Sequence, residues 1–307
     1  MNLNKYIFLI FLFISLKSYV QQIPIYTQYF LNEIFYNPSF TGIKDHYQAR
    51  TNYRFQWLGI TDAPKTYILS VFGPHKVYNF GFGGYLINDV AGPLSKTGLY
   101  SLYSYHIQLI EDYFLSIGFS LGILQIKLDG SEVILHDFFD NSLGYNVYKA
   151  YIPDLSFGTL FFSNYFNIGF SIIQAFSSNI NFSEVHQLGI NKLKQHFFLH
   201  GSYLYQTNKD LSIEPTLIFA YVYPAPLQTT FFVKCIFNNK YWFGTGIRTK
   251  DALVFAAGIF LDNQISISYS YDYHLSNIKK FTTGSHEITV NMNFKKFKSK
   301  QNHKLFP

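Results

Sequence analysis

HYQARTNYRFQW, residues 46 to 57, alternates in character at every position. Tyr47, Ala49, Thr51, Tyr53, Phe55 and Trp57 fall on one side of an extended chain. His46, Gln48, Arg50, Asn52, Arg54 and Gln56 fall on the other. A period of two is the signature of a β-strand with two different surroundings. One side suits an apolar medium and the other a wet interior.

The same grammar recurs along the chain. LSIGFSLGI (115–123) and ISISYSYDY (265–273) set apolar residues against Ser, Gly and Asp. In all, the pattern predicts about fourteen strands, an even number that suits a transmembrane barrel. Their expected spans are 46–57, 65–73, 79–88, 97–107, 112–126, 152–162, 165–174, 196–206, 210–222, 227–237, 240–248, 252–260, 264–273 and 284–294. A soluble sandwich shows the same alternation with its apolar side turned into a core. Tyr and Phe near many strand ends favour the membrane barrel, because aromatic girdles sit at the two interfaces.

Composition supports that choice. Of 307 residues, 20% are aromatic and 14% charged, whereas about a quarter of a soluble domain is charged. After the first twenty residues no uncharged apolar run approaches the ~20 that a membrane helix needs, so a spanning chain must close into a barrel. The single Cys235 leaves no internal disulfide and no paired-cysteine metal site.

Lys5 followed by the apolar run Tyr6 to Leu16 reads as a secretory signal, giving an expected organisation of signal peptide at 1–20, a lead or plug segment on the periplasmic side at 21–45, barrel at 46–294 and basic tail at 295–307. The lead contains the turn dipeptides Asn37-Pro38 and Thr41-Gly42. Even-numbered connections are tight and several odd ones are long, notably 127–151, 175–195 and 274–283. Short turns belong on the periplasmic side, so both ends of the mature chain are expected there.

Several motifs carry a family resemblance. Gln28, Tyr29, Asn37, Pro38 and Gly42 form a Gln-Tyr…Asn-Pro…Gly lead. Tyr53, Arg54, Gln56, Trp57 and Gly59 spell Tyr-Arg-x-Gln-Trp-x-Gly. Ala63, Pro64, Thr66, Leu69 and Ser70 follow, then Asn88, Asp89, Gly92 and Pro93 as Asn-Asp-x-x-Gly-Pro. Near the end stand Tyr271 to Tyr273 and Gly284, Ser285, His286 and Glu287. The chain resembles the PorP/SprF membrane proteins of the type IX secretion system of the Bacteroidetes from about Ile25 to Phe294. That resemblance implies an outer-membrane barrel serving secretion or gliding. Its implied partners are periplasmic ring proteins or a secreted adhesin with a C-terminal secretion domain, besides the lipids of the membrane.

Enzyme chemistry finds little footing. Gly118 to Gly122 spells a nucleophile elbow, but that motif needs a strand-to-helix turn and here lies mid-strand. His286-Glu287 lacks the second histidine of a zinc protease. No catalytic residue, cofactor or metal is expected. The formal charge of +6 lacks the clustered basic groove of a nucleic-acid binder, so no nucleic acid is expected. Lys295, Lys296, Lys298, Lys300 and Lys304 make the tail a candidate partner-binding segment, with the lead as its companion. A porin or fatty-acid-type channel is the other reading, and it requires an unplugged lumen.

Closing the barrel places the last strand against the first. Matching strand centres brings Glu287 near Arg54, close to the outer rim. That pair is expected to fix position, and a double charge swap to restore what either single reversal loses.

Overall fold

The computed structural model describes residues 27–133, 146–180, 182, 191–261 and 264–294. The expected signal peptide, the first six residues of the lead and the basic tail lie outside the described residues. Among the described residues, fourteen antiparallel strands form a closed barrel. They are β1 (Tyr47–Phe55), β2 (Lys65–Pro74), β3 (Phe80–Ala91), β4 (Leu94–Ile110), β5 (Tyr113–Asp129), β6 (Val147–Phe162) and β7 (Phe166–Ile173). Then come β8 (His196–Tyr203), β9 (Leu211–Val222), β10 (Gln228–Phe237), β11 (Tyr241–Arg248), β12 (Ala252–Leu261), β13 (Ile265–His274) and β14 (Ser285–Phe294). Each strand pairs with its sequence neighbours, and β1 pairs with β14 from Tyr47 opposite Phe294 to Phe55 opposite His286. No helix among the described residues is long and apolar enough to cross a membrane.

The outer surface explains why this ring sits in lipid. On β5 the outward positions are Tyr113, Leu115, Ile117, Phe119, Leu121 and Ile123, an apolar ladder eleven residues tall. A membrane-spanning strand needs about that many. Above Ile123 the outward residues become Gln125 and Lys127, yet the strand continues to Asp129.

This extension corrects the expected strand ends. β4, β5 and β6 run beyond the spans read from the sequence, and the third connection shrinks to Gly92-Pro93. Their inward residues Leu124, Ile126 and Ile152 pack with Leu193, Ile180 and Phe182 of the β7–β8 connection. Burial of this small core keeps the strands paired where their outer side no longer meets lipid.

A plug occupies the lumen. Residues 27–46 run inside the barrel as a chain of short turns: Tyr29–Leu31, Glu33–Tyr36 and Pro38–Phe40. Tyr29, Ile34, Phe35, Tyr36 and Phe40 pack against inward residues of the wall such as Ile68, Tyr85, Leu102, Phe114, Leu160 and Phe198. On the opposite wall Leu31 meets Phe232, Ile236, Trp242 and Val254.

Candidate functional site

The contact between this plug and the barrel wall is the most elaborated polar structure in the described part of the molecule. It has two halves. The lower half seats residues 36–42 on β3 to β7. Inward glycines leave room for the plug: a Cβ at Gly81 would strike the Thr41 backbone, one at Gly118 the Pro38–Ser39 backbone, and one at Gly158 the Asn37 side chain. Serines beside them donate to plug carbonyls: Ser104 to Thr41, Ser116 to Ser39 at 2.7 Å and Ser171 to Tyr36 at 2.6 Å. Asn37 accepts from the Ser39 amide at 3.0 Å and donates to the Thr159 carbonyl at 3.0 Å. Backbone carbonyls of the plug are thereby satisfied inside the barrel.

The upper half is charged. Arg54 on β1 forms ion pairs with Asp272 on β13 at 2.8 Å and Glu287 on β14 at 3.1 Å. Arg248 on β11 reaches Asp272 at 3.3 Å and Asp251 at 2.9 Å. Arg54, Asp272 and Glu287 are at most 1% exposed. Isolated buried charges are costly, and only mutual pairing with full hydrogen bonding makes them tolerable.

The plug supplies part of that bonding. Glu287 accepts from the amides of Thr27 at 2.8 Å and Gln28 at 3.3 Å, as well as from the Asn52 side chain at 2.8 Å. Thr27 donates its hydroxyl to Asp272 at 2.6 Å, and Gln28 accepts from Ser268 at 2.6 Å while donating to the Glu287 carbonyl at 3.1 Å. A third anchor, Glu33 to Arg50 at 2.9 Å, lies lower on β1. Asp251 sits outside the strands, between β11 and β12. Burial alone would raise its pKa, but hydrogen bonding to His274 and the nearby Arg248 guanidinium together hold its carboxyl well below the ordinary aspartate range.

The family described as "Type IX secretion system membrane protein PorP/SprF" matches residues 18–292. The chain belongs to the PorP/SprF family. No curated protein matches it. Solved structures of similar fold include the CymD monoaromatic hydrocarbon channel, with TM-score 0.51, 8% identity, and coverage of 86% of this chain and 93% of that one. The P. putida toluene transporter TodX gives TM-score 0.50 and 10% identity, covering 84% and 92%. At such identities the likeness is one of fold. This PorP/SprF chain is an outer-membrane β-barrel of the type IX secretion family.

The PorP/SprF motif residues now have places. Gln28, Tyr29, Asn37, Pro38 and Gly42 all lie buried in the plug. The expectation that Gln28, Tyr29 and Asn37 offer a docking surface is therefore corrected: their side chains are spent on the barrel wall. Arg54 and Glu287 meet in the charged anchor.

Most of the others brace the rim at that same end. The Leu58 amide donates to the Gly284 carbonyl and the Leu58 carbonyl accepts from the Thr283 amide, joining the β1–β2 and β13–β14 connections. Gly59 (φ +103°) and Gly284 (φ +125°) adopt conformations that favour glycine. The Trp57 amide donates to Ser285 at 3.0 Å, and the Gln56 amide to the Pro64 carbonyl at 2.9 Å, just beyond Ala63. Asp89 accepts from Thr66, Asn88 donates to Thr97, and the Gly92 amide before Pro93 donates to the Asp62 carbonyl. Tyr53 and His286 face outward, Tyr53 stacked on Tyr67 and His286 bonded to Tyr269.

Arg248, Asp251 and Thr27 carry no motif in the sequence, and the glycines of the seat read there only as small lumen residues. Among the described residues no group of His, Cys, Asp and Glu could hold a metal ion.

Proposed function

We propose that this barrel serves type IX secretion as a closed structural platform rather than as an open pore. The observation that carries the reading is the lumen filled by residues 27–46, pinned at Arg54, Asp272 and Glu287 and again along β3 to β7. Passage of a solute would require displacing the plug, which breaks the Glu33–Arg50 ion pair and strips the buried Glu287 and Asp272 carboxylates of their Thr27 and Gln28 donors, at a cost of several kcal/mol. The work of such a barrel is then done at its two rims.

The candidate partners follow the family: periplasmic ring proteins on the side of the short turns, or an exported adhesin on the other. With residues 27–45 of the lead packed inside the barrel, the lysine tail 295–307 is the candidate for the periplasmic contact. A basic segment of this kind associates quickly with acidic surfaces and loses that advantage as salt rises.

The test has two arms. Purified barrel in planar bilayers or liposomes is expected to show no steady conductance and no solute-dependent swelling; stable open channels in the unaltered protein would favour the porin reading. Deleting residues 295–307 is expected to leave insertion intact and to reduce co-purification of periplasmic ring proteins. Unchanged co-purification removes the tail from the contact.

A further inference from the structure

The path of the plug assigns the two ends of the chain to opposite mouths of the barrel. Phe294 ends β14 at the short-turn mouth, directly opposite Tyr47, where β1 begins. Thr27 lies at the other end. Its amide is bonded to Glu287, two positions from the start of β14, and its hydroxyl to Asp272, two positions from the end of β13. From Thr27 the chain descends: Glu33 reaches Arg50 midway down β1, Ser39 sits on β5, and Gly42 lies against Gly73 and Gly81 at the foot of β2 and β3. It then turns into β1.

We infer that the chain enters the lumen from the long-connection mouth, so that the segment before Thr27 emerges on the cell surface while the carboxyl end faces the periplasm. The way up from Thr27 is two residue positions of strand. The way down is already occupied by residues 28–46, packed against Leu102, Phe114 and Leu160 on one side and Phe232 and Trp242 on the other. Long connections face outward in barrels of this class, which fixes the side. The expectation that both ends share the periplasmic side is therefore replaced. Thr27 thus lies at the same mouth as the connections 56–64 and 275–284, the rim on which most of the family motifs converge.

This inference does not depend on whether the barrel is open or closed, and its test is independent of conductance. In a Cys235→Ala background, single cysteines are introduced at Gln22, at Lys250 between β11 and β12, and at Asn238 between β10 and β11. Intact cells are treated with a membrane-impermeant maleimide, then compared with permeabilised cells. Gln22→Cys is expected to label on intact cells together with Lys250→Cys, while Asn238→Cys labels only after permeabilisation. Labelling of position 22 only in company with Asn238→Cys, or in neither state, overturns the inference. Intact mass establishes that residue 22 is retained, and Ile25→Cys replaces it if processing has removed it.

Discussion

Arg54 and Glu287 stand opposite one another in the register of the closing seam and also touch, at 3.1 Å. The contact that joins the first strand to the last therefore belongs to the group that grips the plug.

Glu287→Gln keeps the shape of the side chain and removes its charge. It weakens the partner of Arg54 and turns an NH2 group toward either the Thr27 or the Gln28 amide, because these two donors bond different oxygens of Glu287. Breaking one side of a buried pair costs about 3–5 kcal/mol. The expected result is a clear drop in the temperature at which the barrel unfolds on gels, with insertion preserved. An unchanged midpoint would remove the anchor role.

Reversing the pair, Arg54→Glu with Glu287→Arg, is expected not to restore stability. The glutamate introduced at position 54 would face Asp272, which lies 2.8 Å from the native Arg54, and the introduced arginine would face backbone donors. The simple pairwise rescue expected from the seam alone thus gives way to a three-residue dependence. Recovery in the double variant would show that Asp272 and Thr27 contribute little.

Gly118→Val and Gly158→Val test the seat. Each side chain would collide with the Ser39 or Asn37 part of the plug, and overpacking of this kind costs about 1–3 kcal/mol or more. Displaced plugs should appear as intermittent conductance in planar bilayers. Gly201→Ala, where an added Cβ makes ordinary contacts at 3.7 Å, is expected to remain silent.

Asp251 predicts the acid limb of stability. Its folded pKa lies below the unfolded value of about 3.9. Its contribution is therefore complete above pH ~4 and is lost as pH falls through the folded value. Asp251→Asn should unfold at a lower temperature than the parent at pH 7, with the gap narrowing below pH ~4. A gap that stays constant down to pH ~3 would assign the loss to packing instead.

The ring was legible in the sequence because alternation is local and closure allows one partner for β1. That logic alone is enough to set Glu287 against Arg54. The plug was less legible. Residues 27–46 have no period, and their surroundings are set by glycines and serines on five distant strands, such as Gly158 and Ser171. Asp272 looked like one more polar step in the Ile265 to Tyr273 alternation; its role depends on Arg248 and Arg54 arriving from two other strands. The true lengths of β4 to β6 were hidden because Gln125 and Lys127 mark the lipid boundary, which is not the end of pairing.

Glu287 also couples two distant parts of the polypeptide. It accepts from Thr27 and Gln28 of the plug and from Asn52 on β1, all more than 200 positions before it in the chain. Its carboxylate is satisfied only when the ring is shut and the amino-terminal segment is already inside. A barrel closed empty would bury that charge with part of its donors missing, so closure is favoured around a filled cylinder and penalised around a hollow one.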